Sequence, residues 1–433
     1  MAILITGFSL SLVTGFYQIK KLPEALRYLC KSIQKKKEDQ SYVSGYQALC
    51  TALAATVGTG NLAGVAGAIA IGGPGAVFWM WISGILGMMV KFTEVVLAHH
   101  FRQKDTNGSW IGGPMYMIKN GMPKCMHFLG LVYCFFGTVA VFGIGNTSQV
   151  NTIIGAIDTS FITMIGVRKL ISHLLIGVIL ALLIFRVFYQ GPGNIGNLTA
   201  KLVPFAAGSY ILLSVTALLI NFDRLPNAFL AIIHGAFEPS AVTGGIIGSV
   251  LLTMRTGISR GVFTNEAGMG TASIAHSESS EADPVRQGLL GITEVFFDTI
   301  VICTLTALVI LSSDIAVPYG YDTGITLTTN AFTSIFGDWC GIVISVITVL
   351  LAFATILGWG LYGMRCAQYI FGESVWRVFP ALQAAATFLG ACINTSTAWV
   401  YSELVNAFMV LTNLIAVTYL LPEFLREIKA HRL

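Results

Sequence analysis

Val57-Gly58-Thr59-Gly60-Asn61 sits in the middle of an apolar run that extends from residue 43 to residue 71. A run of that length and character is a membrane-crossing helix, yet its centre is rich in glycine and polar side chains. Backbone that unwinds at mid-membrane exposes N–H and C=O groups that lipid cannot satisfy. It survives only where it lines a cavity or holds a ligand. Amides at the start of a half-helix suit a carboxylate, and carbonyls at the end of one suit a small cation. The pattern therefore assigns the amides near Thr59, Gly60 and Asn61 to an anionic substrate group. The carbonyls of Ala54 and Val57 fall to a sodium ion. Gly58 and Gly60 let the backbone approach closely, and Thr56, Thr59 and Asn61 add donors without the cost of a buried charge.

The rest of the chain has the same character. Its 433 residues are 55% hydrophobic and only 11% charged, with a mean hydropathy of +0.76, whereas a soluble domain carries roughly 25% charged residues. This composition excludes a soluble enzyme, a nucleic-acid binder, a disordered chain and a secreted disulfide scaffold. Apolar runs of ~20 residues, not alternating segments of ~10, exclude an outer-membrane barrel. The eight cysteines form no C-x-x-C pair and mostly lie inside apolar runs, which makes them small packing residues. Met1 to Tyr17 is apolar but precedes its basic cluster instead of following one, the reverse of a cleaved signal peptide.

Eleven spans follow, approximately 2–18, 43–71, 75–99, 127–156, 170–189, 199–221, 226–253, 287–313, 339–364, 375–395 and 402–425. With the N-terminus outside, the inner loops and tail carry 21 Lys and Arg, against three (Arg168, Lys169, Arg224) in the outer loops. That asymmetry supports an odd number of spans with the N-terminus outside and the C-terminus cytoplasmic. Among the inner charges are the cluster from Lys20 to Lys37, then Arg255, Arg260 and Arg286, then Arg365 and Arg377.

A second span is irregular. The seventh holds Pro239 and then Gly244-Gly245, five helices after the first break and in the opposite direction. Matched interruptions in inverted halves are the sequence pointer to a secondary-transporter binding site. The organisation is then an N-terminal helix and basic loop (1–42), a first five-helix repeat (43–221), an inverted second repeat (226–425) and a short tail (426–433). Gly244 and Gly245 join Thr56, Gly58, Thr59, Gly60 and Asn61 as expected substrate contacts. Polar residues on other spans complete the site: Gln149 within Gly145–Asn151, and Thr355 with Trp359, which share one helical face. Thr355 offers a hydroxyl to sodium, and Trp359, with Phe142, offers a wall that favours alanine, glycine or serine over bulky amino acids.

Several charges sit within the spans. Lys91 and Glu94, three apart, read as a pair snorkelling to the inner interface. Glu238, Glu294 and Asp298 are the acids available to a proton-coupled mechanism. His99-His100 lack metal-ligand spacing and read as interfacial. Arg260 to His276 is rich in Gly, Ser, Thr and Asn without a phosphate-loop pattern, and reads as an inner gate element with Arg255 and Arg260 as gate charges.

The segments AATVGTGNLAGVAGAIAIGGPGAVFWMW (54–81), GMMVKFTEVVLAHHFR (87–102) and IGGPMYMIKNGM (111–122) resemble the alanine or glycine:cation symporters. So do GNTSQVNTI (145–153), RTGISRGVFTNEAGMGTASIAHS (255–277), ATILGWGLYG (354–363) and, more loosely, LVNAFMVLTNLIAV (404–417). The resemblance implies an all-α, LeuT-like 5+5 inverted repeat in a prokaryotic cytoplasmic membrane. It further implies uptake of a small neutral amino acid driven by sodium or sometimes protons, with no cofactor, nucleic acid or obligate protein partner. VGTGN also looks like the first core helix of the neurotransmitter:sodium symporters, which supports giving Thr59 and Gly60 to the carboxylate, and Ala54 and Val57 to sodium. The chain departs from the family pattern at Ala354, where the family has a serine before the threonine, at Met364 in place of a glutamate, and at Glu403 in place of an aspartate. A proton-coupled carrier and a non-transporting receptor or channel on the same fold are the alternatives. The clustering of polar groups at two breaks, instead of along a continuous row, speaks against a channel.

Overall fold

A glycine stops the first apolar run: Gly15 adopts φ 65°, and its amide and that of Phe16 close onto Leu12 and Ser11 carbonyls. There α1 (Ala2–Thr14) turns by 83° into the amphipathic α2 (Tyr17–Gln34). The computed structural model describes residues 1–34, 43–106, 108–158, 169–321, 324–392 and 396–431. Lys35, Lys36, Lys37, Arg168 and Arg432, all part of the charge asymmetry, lie outside the described residues, as do the side chains of Lys169 and Glu403.

Helix α3 (Gly45–Thr56) begins with a capping box, the Ser44 hydroxyl accepting from the Gln47 amide and Gln47 Oε1 from the Ser44 amide. It breaks at Val57, and α4 (Gly60–Gly72) continues at 47° to it. There follow α5 (Ala76–His100), α6 (Pro114–Gly121), α7 (Lys124–Ile157), α8 (Lys169–Tyr189) and α9 (Pro192–Ile220). Next come α10 (Leu225–Phe237), α11 (Val250–Asn265), α12 (Thr271–Ser277), α13 (Pro284–Ser312), α14 (Ile325–Phe336) and α15 (Trp339–Phe371). The chain closes with α16 (Val375–Gly390), α17 (Ser396–Tyr419) and α18 (Leu421–His431). Six described helices are long and apolar enough to cross a membrane, and counting three bent pairs as single spans makes nine. Outward-facing Leu175, Leu182, Phe205, Leu212 and Leu251 give α8, α9 and α11 apolar exteriors suited to lipid.

Three helices each contain a π turn, at Gly60–Gly64 in α4, Gly143–Thr147 in α7 and Phe296–Cys303 in α13. Such turns carry one residue more than an α-helix accommodates and so aim side chains off the regular stripe. Glycines bring the helices close. A Cβ on Gly257 or Gly261 of α11 would fall 2.1 Å from Ala76 O or Ser83 Oγ of α5. One on Gly358 of α15 would fall 2.8 Å from the Ala55 amide of α3. The two interrupted segments are thereby clamped, one to α15 and one to α5.

The structure relocates the second interruption. The run 226–253 is not one broken helix: α10 stops at Phe237, a four-residue turn spans Pro239–Val242, and α11 starts only at Val250. The break within the site lies instead at Glu266–Gly270, between α11 and α12. Glu266 there holds a left-handed conformation, φ 53°, a geometry rare outside glycine and asparagine. Arg255 and Arg260, expected in an inner loop, lie on α11 itself and line an open cleft together with Phe263. Glu238 is exposed at the end of α10 and belongs to neither break.

The charges on α5 are not at an interface. Lys91 is fully buried and its ammonium lies 3.2 Å from Glu294 Oε1 on α13, while Glu294 Oε2 lies 3.1 Å from His276 Nε2 on α12. Gln287 Nε2 completes the chain, 2.7 Å from His276 Nδ1. Glu94, also fully buried, accepts from Asn413 Nδ2 at 2.6 Å. A charge buried this deeply costs several kcal/mol unless paired, so burial selects a partner 203 residues away over the neighbour three residues away. His99 is buried too, and only His100 reaches the surface, where it pairs with Glu427. Arg365 is likewise withdrawn from solvent, bonded through Nε to Glu278 Oε1 at 2.6 Å and lying over the Trp376 ring. Cys50, Cys134, Cys303, Cys340 and Cys366 are buried as unpaired thiols, in keeping with a packing role.

Candidate functional site

The break in the α3–α4 pair leaves backbone groups that each need a partner, and the local sequence supplies several. Val57 is extended (φ −78°, ψ 91°), and the Gly58 amide donates to Asn61 Oδ1 at 2.9 Å. Asn61 Nδ2 donates in turn to Asp298 Oδ1 (2.7 Å) and to the Asp298 carbonyl (3.1 Å). The other carboxylate oxygen accepts from Thr299 at 2.9 Å, and Thr299 accepts from Asn265 Nδ2 at 3.1 Å. Asn265 Oδ1 finally accepts from the Ala267 amide at 3.0 Å. A continuous buried chain, Asn61–Asp298–Thr299–Asn265–Ala267, thus joins the two interruptions through the π turn of α13.

Side chains also satisfy the carbonyls the breaks release. Thr328 of α14 donates to Leu62 O at 2.9 Å, Tyr133 of α7 to Met269 O at 3.0 Å, and Asn413 of α17 to Gly268 O at 2.9 Å.

Between the interruptions lies a cavity of about 20 Å³. Thr56, Gly58, Thr59 and Gly60 of the first interruption line it, together with Phe263, Thr264, Glu266 and Met269 at the second. Ala55, Ile144, Gln149, Thr355, Trp359 and Asn406 complete the lining. Thr59 Oγ1 donates to Gln149 Oε1 at 3.2 Å, and Gln149 Nε2 reaches the Ile144 carbonyl at 3.3 Å in the π turn of α7. Trp359 is fixed by Gly145, where a Cβ would come within 2.5 Å of the Trp359 Cβ. The Thr355 hydroxyl donates to Leu351 O at 3.0 Å and stands against the broken segment, 2.5 Å from where a Cβ on Gly58 would be.

Most of the residues expected from the sequence therefore meet: Thr56, Gly58, Thr59, Gly60, Gln149, Thr355 and Trp359 share one cavity. Asn61 does not line it. Its side chain is wholly buried behind the wall and spends its polar atoms on Gly58 and Asp298. Ala54 and Val57 are buried at the end of α3, also behind the lining, and Ala54 packs against Ala354. Gly244 and Gly245 are outside the site: both are exposed, with φ of 65° and 86°, in the connection ahead of α11. Phe142 packs on Phe379, and Ile144 takes the expected place in the wall. The sequence reading missed Phe263, Thr264, Glu266 and Met269. Their signal was the pair Gly268 and Gly270 straight after an acid in a stretch too polar to pass for a membrane helix.

Two interrupted helices placed around a small, buried, polar cavity, with the freed backbone groups capped by side chains, are the architecture of the LeuT-type transporter fold. The likeness to a solved structure described as MhsT in complex with L-phenylalanine has a TM-score of 0.63, covering 88% of this chain and 89% of that one at 13% identity. The chain belongs to the sodium:alanine symporter family, whose model matches residues 1–432. It is 39% identical to the sodium/alanine symporter AgcS of Methanococcus maripaludis, over 98% of this chain and 92% of the relative. It is 40% identical to an uncharacterized transporter of Haemophilus influenzae, over 98% and 91%. The protein is a multi-pass membrane transporter, not an enzyme.

Proposed function

We propose that this protein carries a small neutral amino acid, alanine or glycine, into the cell together with sodium by alternating access. The observation that carries the reading is the unwound Val57–Asn61 segment facing Gln149, Thr355 and Trp359 across one small cavity. The substrate carboxylate meets the amides at the start of α4, where the helix dipole also favours negative charge. Sodium meets the Ala54 and Val57 carbonyls and the Thr355 hydroxyl. That hydroxyl spends its proton on Leu351 O and so keeps oxygen lone pairs for a cation. Ala354, which lacks the second hydroxyl of the family pattern, leaves a weaker cation cage. Because ion and carboxylate share one broken segment, each orders the backbone the other needs, and coupling follows from that shared cost. Trp359 and the tight cavity favour a methyl side chain or none.

On this reading the chain spans the cell membrane eleven times with its N-terminus outside. The first repeat is 43–221, and the second, expected over 226–425, has its broken helix at 250–277.

The test is radiolabelled alanine uptake into proteoliposomes, with sodium and proton gradients imposed separately. Sodium-driven uptake that falls in Thr355→Ala supports the reading. Uptake driven by protons alone moves coupling away from Thr355, and no alanine uptake or binding under either gradient overturns the substrate.

A further inference from the structure

Among the described residues that line the cavity, one is acidic, Glu266, and none is basic. Glu266 is 3% exposed, and a buried carboxylate without a cation costs several kcal/mol. The buried Lys91 ammonium is committed to Glu294. The left-handed turn does not require an acid, since glycine or asparagine fits such a conformation with less strain. What the acid adds is a negative charge held in place: Thr271 Oγ1 donates to Oε2 at 2.6 Å.

The helix ends point the same way. Gly60, at the positive end of α4, sits against α11: a Cβ on it would come within 3.1 Å of Thr264 Cγ2. Thr264 and Glu266 lie at the C-terminal end of α11, where the helix dipole favours a cation, and both line the cavity. The α4 wall therefore favours an anion and the α11 wall a cation, and both border the same small cavity. The amides of the first wall recognise a carboxylate, but they do not tell an amino acid from a hydroxy acid or a plain carboxylic acid.

We infer that Glu266 binds the α-ammonium of the substrate, and that this contact makes the carrier selective for zwitterionic amino acids over amine-less acids of the same size. The inference deepens the proposed amino-acid uptake and rests on it. A site that pairs a buried charge with its ligand rejects an analogue lacking the partner far more strongly than a hydrophobic pocket rejects a missing methyl.

The experiment measures sodium-dependent binding of alanine, lactate and propionate to the reconstituted full chain, in wild type, Glu266→Gln and Glu266→Asp. In wild type, lactate and propionate compete at least about 1,000-fold more weakly than alanine. Glu266→Gln weakens alanine by about 10- to 100-fold and brings alanine and lactate to within about 10-fold of each other. Glu266→Asp retains the preference at reduced affinity. A purely structural role for Glu266 would lower all three ligands together and leave their ratio unchanged, which overturns the inference. So does a wild-type protein that takes lactate as readily as alanine, a result that needs no variant to fold. Failure of wild type to bind alanine at all overturns the uptake reading itself and is a distinct outcome.

Discussion

Gly58 is the position where the packing makes its sharpest demand. Placing a methyl there puts carbon 2.5 Å from Thr355 Oγ1, while the Thr355 Cβ stands at 3.7 Å, an ordinary contact. The hydroxyl cannot retreat with its helix, because Gly358, one turn further along α15, is already pressed on the α3 backbone. Overpacking of this kind costs about 1–3 kcal/mol. Against it, replacing glycine by alanine recovers about 0.4–1 kcal/mol from the unfolded chain. Gly58→Ala alone is therefore destabilising by about 1–2 kcal/mol. In a Thr355→Ala background the clashing oxygen is gone, and the same change becomes neutral or slightly stabilising. The double-mutant cycle, read from equilibrium unfolding in mixed micelles by circular dichroism, then yields a coupling of about 1–3 kcal/mol. Additivity within about 0.5 kcal/mol would show that the Thr355 hydroxyl does not face the broken segment, and the cation site drawn there would fall with it.

Other perturbations test the remaining features. Asn61→Ala strands Asp298 without its amide donor and is expected to cost about 2–3 kcal/mol and most alanine uptake, measured by unfolding and proteoliposome flux. Lys91→Met leaves Glu294 as an uncompensated buried acid and costs about 3–5 kcal/mol, whereas adding Glu294→Leu recovers much of that loss in the same unfolding assay. Gly244→Ala and Gly245→Ala strain a left-handed turn by about 1 kcal/mol but leave alanine affinity unchanged, since neither glycine lines the cavity. Arg365→Ala orphans Glu278 between α12 and α15, lowering stability by about 2–5 kcal/mol and raising the rate at which a thiol probe labels cysteines introduced along α12.

The first interruption was legible because glycines and neutral polar residues stood inside an otherwise apolar run, where only an unwound helix makes sense of them. The second was misplaced for a related reason. Pro239 and Gly244-Gly245 punctuate apolar sequence conspicuously, while the real break at Glu266–Gly270 lies in a stretch whose arginines, threonines and serines resemble a loop. Those polar groups are consumed in the interior: Asn265 by Thr299 and Ala267, Thr271 by Glu266, His276 by Glu294. Polarity along the chain does not tell water from a buried network. Lys91 illustrates the same limit, since sequence proximity offered Glu94 and folding supplied Glu294 from another helix. Thr59, Gln149, Thr355 and Trp359 were found because each is a polar or aromatic exception on its own helix, and such exceptions converge.

The π turn in α13 separates two commitments made by one helix. Before it, Glu294 reaches Lys91 and His276; after it, Thr306 is hydrogen-bonded to Tyr210 at 2.6 Å. An α-helix advances about 100° per residue, so deleting a single residue within 296–303 would leave the first engagement intact and swing the second away from α9. The surplus residue works as a phase shifter that lets both faces be addressed from one continuous rod. Length inside this helix is thus a constraint of its own, set by the two contacts that the π turn keeps in phase.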